Sequence, residues 1–230
     1  MSNIKHIAFY IVVISFFLQH ADAMAQRASY SPPPDFVVMV SPVISGGTSI
    51  FHGVSPERYS SHSAFSWNGG AVTAFIDRQL YQRFYFVLTL GVQYDSRSVT
   101  FSSPEISHYT ITVNSIAVSA GLAFPYIQFH FGVNVPIAGS TTEAISQDID
   151  RVTKIHSSDL NLVFEPRLIL YYPFPVNNGS AIIPYLSFGL PLSKVFRGED
   201  SFTHDMKIAT LQLGITYPFT VYEYFSYISL

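Results

Sequence analysis

Four side chains in this sequence could assemble a hydrolytic site. Ser115, Ser119, His130 and Glu165 supply a serine nucleophile, a general base and an orienting carboxylate, the residue types that acyl transfer needs. Glu165 and Arg167 stand two residues apart, the spacing that puts two side chains on one face of a strand about 7 Å apart. Asp148 and Asp150 could hold a divalent ion or bridge to a phosphorylated glycolipid. The eight histidines are scattered with no close pair at ligand spacing, and there is no cysteine, so thiolate chemistry, disulfides and the usual zinc sites are excluded. No cofactor or resident metal is expected. No motif specifies an activity.

Each of these readings depends on where the backbone puts the residues, and most of the chain has a period of two. In Tyr126–Ile137, Ile127, Phe129, Phe131, Val133, Val135 and Ile137 share one face, while Gln128, His130, Gly132 and Asn134 share the other. Asp159–Tyr172 sets Leu160, Leu162, Phe164, Leu168 and Leu170 against Asn161, Glu165 and Arg167. Phe84–Tyr94 and Ile208–Phe219 repeat the alternation, and Phe36–Ser45, Phe65–Ile76, Ile111–Phe124 and Ile182–Ser193 complete a set of eight strands. No helix is needed after the N-terminal region. The expected connections alternate: long at 46–64, 95–110, 138–158 and 194–207, and shorter at 77–83, 125 and 173–181.

Composition decides which way the faces point. Hydrophobic residues make up 48% of the 230, aromatic residues 16% and charged residues only 12%, too few charges to coat a soluble domain. A net charge of −3 with no basic patch argues against nucleic acid. The polar face carries Gly70, Gly91, Gly121, Gly132, Gly189 and Gly214 among Ser, Thr and Gln, as a crowded lumen would, and almost no Lys or Glu. The charges inside these strands, Asp159, Glu165 and Arg167, share one parity, and a charge on a lipid face would cost about 2–4 kcal/mol near the bilayer midplane. The expected fold is therefore an all-β, antiparallel, up-and-down transmembrane barrel of about eight strands. Its large apolar face meets lipid, and Asp95, His130, Asp159, Glu165 and Arg167 form a polar network in the lumen. The structural reading is a self-filled lumen; the alternative is a charged constriction that selects solutes. Aromatic residues flank the strands, among them Trp67, Tyr81, Tyr94, Phe124, Tyr126 and Tyr172, as interfacial girdles do.

The N-terminus reads as a secretory signal. Lys5 precedes the apolar run 7–18, and Ala21, Ala23 and Ala25 offer cleavage after Ala23 or Ala25. The expected organisation is a signal peptide over 1–25, a Pro-rich periplasmic linker over 26–35, a barrel over 36–219 and a C-terminal tail over 220–230.

With Gln212, Gly214, Tyr217 and Phe219 in the last expected strand, the chain resembles the small eight-stranded outer-membrane barrels of the OmpA-transmembrane and OmpX type. Gln212 to Phe219 is similar to their last-strand assembly signal (polar, x, Gly, x, x, aromatic, x, aromatic), although here eleven residues follow it. The resemblance implies an outer-membrane location among lipids and lipopolysaccharide, and insertion by the outer-membrane assembly machinery after transit with periplasmic chaperones. It implies no activity. The leading expectation is a non-enzymatic barrel with a structural or interaction role through its extracellular loops. A narrow solute channel is the alternative, and a lipid-modifying enzyme stands behind it.

Overall fold

A computed structural model describes residues 34–52, 61–102, 108–146, 149–176, 181–197 and 205–224. The expected signal peptide, all but the end of the linker, residues 177–180 of the expected 173–181 connection, residues 225–230 of the expected tail and Asp148 lie outside these residues. The strands are β1 (Phe36–His52), β2 (Ser61–Asp77), β3 (Val87–Ser102), β4 (His108–Phe124), β5 (Ile127–Ser146), β6 (Ile149–Ile155), β7 (Val163–Tyr171), β8 (Phe174–Pro175), β9 (Ala181–Gly189), β10 (Lys207–Thr216) and β11 (Phe219–Tyr224). Eight of them close an antiparallel ring, β1-β2-β3-β4-β5-β7-β9-β10, with β10 returning to β1. β6 extends a hairpin from β5, β8 pairs with β9, and β11 pairs with β1.

Partner-to-partner register gives the shear. From Gly47, one direction passes Ser66, Arg97 and Val113 to reach Gly139 on β5. The other passes Gln212, Ser187 and Ile169 to reach Gln128. The two arrivals differ by about ten residues once the bulge beside Asn114/Ser115 is allowed for. Such a stagger in eight strands tilts them by roughly 45° and leaves an interior that side chains fill.

The expected outer faces are outside. Val92 (58% exposed), Phe131 (51%) and Leu213 (54%) face away from the lumen, as do Leu88, Leu90, Val118, Phe129 and Ile215. The apolar face therefore covers the outer wall, and the glycine-rich face lines the inside.

Several boundaries differ from expectation. The strands run on through most of the predicted long connections: β1 to His52, β3 to Ser102 and β5 to Ser146, with partners along the way. The connection after β2 holds a helix, α1 (Arg78–Phe84), where none was expected, and β3 begins at Val87 rather than Phe84. Asp77 starts this helix by accepting a hydrogen bond from the Leu80 amide (2.9 Å), and Tyr85 ends it in the left-handed region at φ 57°. Tyr126 is a turn residue at φ 69°, not the first residue of β5. The segment before β7 is a 3-10 turn over Ser157–Asp159. Finally, the wall does not stop at 219. Pro218 cannot donate to the ladder and breaks the last strand, yet β11 resumes pairing along Phe36–Val40, so part of the expected tail is wall.

Candidate functional site

The inward side chains of β3 name the layers of the lumen in order: Thr89, Gly91, Gln93, Asp95, Arg97, Val99 and Phe101. Nearest the short-turn end, His130 carries a neutral network. Its Nε2 lies 3.0 Å from Thr89 Oγ1 and 3.1 Å from Gln128 Oε1, and its Nδ1 lies 3.3 Å from Ser119 Oγ. Gly121 makes this possible, because a Cβ there would sit 2.6 Å from the imidazole Cδ2. On the facing wall, Ser45 donates to Asn68 Oδ1 (2.8 Å), Asn68 Nδ2 to Gln212 Oε1 (2.8 Å), and Gln212 Nε2 to Ser66 (3.1 Å).

The next layer is ionic. Arg97 donates Nε and Nη2 to the two oxygens of Asp95 (3.2 and 2.8 Å), and Nη2 also meets Glu165 Oε2 at 2.6 Å. Arg167 binds Glu165 Oε1 through Nη2 (2.7 Å) and Nε (3.2 Å) and reaches Asp95 Oδ2 at 3.5 Å. Asp95 and Glu165 are 0% and 1% exposed. The outer valences of the quartet are met as well: Arg97 Nη1 donates to the Ile208 carbonyl (2.8 Å), and Arg167 Nη1 to Gln93 (3.1 Å). Two cations and two anions share one largely buried layer, each touching both opposite charges, so the layer is neutral and every charge is paired. A Cβ at Gly189 would lie 2.5 Å from Glu165 Oε1 and 2.7 Å from Thr210 Oγ1, so the glycine admits the carboxylate.

Toward the hairpin end the lumen turns apolar. Val99, Phe101, Ile111, Val113, Leu160, Val163, Val195, Met206 and Ile208 form one buried cluster. Leu160, expected on the outer face, is fully buried here, because the 3-10 turn carries it inward and a bridge to Phe196 holds it.

The predicted network is thus assembled in part. Asp95, Glu165 and Arg167 meet in the quartet, while His130 belongs to a separate layer. Asp159 is not in the lumen: its side chain is exposed on the 3-10 turn, beside the Ser158 hydroxyl at 3.2 Å. Arg97 is the member that sequence reasoning missed, although Asp95-x-Arg97 has the same spacing as Glu165-x-Arg167. Of the hydrolytic set, Ser119 does neighbour His130, but Glu165 is taken by the two arginines, and the hydrogen-bond partners of the imidazole are Thr89, Ser119 and Gln128. Ser115 lies opposite Asp95 on β4, four residues and so two inward positions away from Ser119. Among the described residues no cluster of His, Asp or Glu could hold a metal ion.

In the last-strand motif, Gln212 and Gly214 point inward, Gln212 into the Asn68 network and Gly214 against the Tyr185 ring and Ser45. The rings of Tyr217 and Phe219 lie 4.7 Å apart across the break at Pro218.

No family model and no curated protein matches this chain. Among solved structures, the translocator domain of the autotransporter NalP from Neisseria meningitidis aligns over 94% of this chain and 97% of that one, at 8% identity and a TM-score of 0.22. At that score the likeness carries no argument.

Proposed function

We propose that the chain is an outer-membrane barrel with a closed lumen, exported through its signal peptide, whose hairpin end stands in water as a structural or interaction surface. The observation that supports this is an inversion of polarity along single strands. On β3 the outward residues are Leu88, Leu90, Val92 and Tyr94, and then Ser96, Ser98 and Thr100. On β4, running the other way, they are Thr110, Thr112 and Asn114, and then Ile116, Val118 and Ala120. The change falls at neighbouring registered pairs, Tyr94↔Ile116 and Ser96↔Asn114. Beyond it the inward faces become apolar, with Val99 and Phe101 facing Ile111 and Tyr109. Apolar surface thus turns outward on one side of a line and inward on the other, which is the arrangement expected where a wall leaves lipid and enters water. Above the line, Ser98–Thr112 (3.0 Å) and Thr100–Thr110 (2.9 Å) pair across the strands, as on a wet sheet.

The belt has the height a membrane asks for. Trp67, in ring contact with Tyr94 (5.2 Å), sits at the line, and β2 ends at Asp77. That stretch of about ten residues, at about 3.3 Å each and tilted ~45°, spans ~23 Å, against an apolar band of ~25 Å in such barrels. On this reading no catalytic step is assigned, and partners are sought at the hairpins rather than in the lumen.

Single-cysteine labelling in intact cells tests the proposal, since the chain has no cysteine of its own. Cysteines at Ser98 and Thr112 should react with a membrane-impermeant maleimide, and those at Leu90 and Val118 should not. Labelling at 90 and 118, or labelling at 98 and 112 only after lysis, would overturn it.

A further inference from the structure

We propose that α1 is a membrane-interface helix that binds phospholipid phosphate at the short-turn rim; this rests on the membrane reading above. Helical spacing divides α1 into two faces. Leu80, Tyr81 and Phe84 lie on one, and Arg78, Gln79, Gln82 and Arg83 on the other. No residue of the helix is buried, and Leu80 and Phe84 are 44% and 57% exposed, so about half of the apolar face is left uncovered by protein. A short helix with an aromatic face and a basic face fits the boundary between acyl chains and headgroups.

Its position matches that boundary. The helix begins where β2 ends, one belt-height from Trp67. It is tied down there: the Arg78 amide donates to the Asp35 carbonyl (2.9 Å), and the Arg78 guanidinium lies 3.7 Å from the Asp35 carboxylate. Its apolar face also runs into the outer wall without a gap. Phe84 contacts Phe86 at 6.0 Å between ring centroids, Phe86 contacts Phe124 at 6.4 Å, and Phe124 contacts Phe129 at 6.4 Å. The lipid that wets Phe129 therefore continues to Phe84. The charges sort in the same way. Asp77 is engaged in capping the helix and Asp35 is engaged by Arg78, while Arg83, in the last turn, is exposed and has no ion-pair partner among the described residues. With Phe84 seated in the acyl boundary, the adjacent Arg83 stands at the level of the phosphates, an anion that one guanidinium binds with two parallel hydrogen bonds.

The chain's single tryptophan, Trp67, gives a direct test. Full-length W67F/F84W and W67F/L80W proteins are folded into phospholipid vesicles whose acyl chains carry bromine either near the headgroup or near the chain end. Blue-shifted emission, quenched more strongly by the shallow bromine, is expected for both, together with a loss of that quenching on adding R83E. Water-like, unquenched emission from both variants, with Trp67 of the wild type quenched, overturns this proposal and leaves the membrane reading standing. Trp67 unquenched as well overturns both. Stronger quenching by the chain-end bromine refutes the interfacial level, and quenching unchanged by R83E refutes the phosphate contact.

Discussion

Glu165→Gln is the most informative single change in this lumen. The carboxylate accepts from Arg97 at 2.6 Å and from Arg167 at 2.7 and 3.2 Å. An amide in place of that carboxylate would keep the shape and lose the charge. Two guanidinium groups would then share Asp95 alone, with one positive charge uncompensated in a largely buried layer. Removing one partner of a buried ion pair typically costs about 3–5 kcal/mol, because the remaining charge is unpaired. Adding Arg167→Gln restores neutrality: Asp95 and Arg97 remain as a pair held through two hydrogen bonds, at 2.8 and 3.2 Å. The double variant should then lose only a few neutral hydrogen bonds, on the order of 1–2 kcal/mol. It should be more stable than the Glu165→Gln single variant by about 2–3 kcal/mol, roughly a hundredfold in the folded-to-unfolded ratio. Arg97→Gln should cost more than Arg167→Gln, since Arg97 lies closer to both acids and also serves the Ile208 carbonyl. Urea titrations of the full chain in vesicles, read by Trp67 emission and by the mobility of unheated samples on SDS gels, give each free energy. Additive losses, with the double variant as unstable as the sum of the singles, would refute the coupling and with it the quartet as one unit.

Two further outcomes follow from the closing strand. Gly214→Val should lower stability by about 1–3 kcal/mol through overpacking, and Tyr185→Ala should recover part of that, because a Cβ at 214 meets the Tyr185 ring; equal losses with and without Tyr185 would contradict the contact. Deleting residues 220–230 should abolish the resistance of the fold to SDS at room temperature, because it removes the pairing of Met39, Val38, Val37 and Phe36 with β11; a truncated chain that still runs as a compact species would return the closing edge to β10.

Much of this architecture is legible in the sequence, and the failures share a cause. A strand is recognisable where one parity stays apolar, and this locates all eight ring strands and the inward direction of Glu165, Arg167, His130 and Gly214. In Tyr94-Asp95-Ser96-Arg97-Ser98-Val99-Thr100-Phe101 the period of two persists, but the apolar residues move from even to odd positions between Tyr94 and Val99. A reading that demands one constant face stops at Tyr94, discards Arg97 as loop and misses the upper hairpins. Asp159 fails in the opposite sense. Leu160 and Leu162 continue the alternation of β7 into a segment that has already turned, so Leu160 is buried and Asp159 is exposed. The helix α1 is too short for a periodic signal; its trace is a capping Asp77 ahead of Leu80 and Phe84 at i, i+4. Glu223 spoils an apolar face and so argues for a tail outside the wall, yet every side chain of β11 is exposed and its place in the wall comes from backbone pairing with β1.

The quartet lies at the junction between two kinds of interior, and that placement bears on what the lumen is for. Below it are hydroxyls, amides and an imidazole; above it is the apolar cluster around Phe101 and Leu160. A filter that selects ions needs uncompensated charge facing a wet path, so that one sign of solute is attracted. Here the four charges cancel within one layer, and Arg97 and Arg167 extend further hydrogen bonds to the Ile208 carbonyl and to Gln93. Above them the apolar cluster offers a passing solute no hydrogen bonds. On the proposed reading of a closed lumen, a neutral ion layer beneath an apolar cluster would seal the barrel and hold the wall in register. On that reading recognition falls to the outer surfaces, the hairpins at one end and the amphipathic helix at the other.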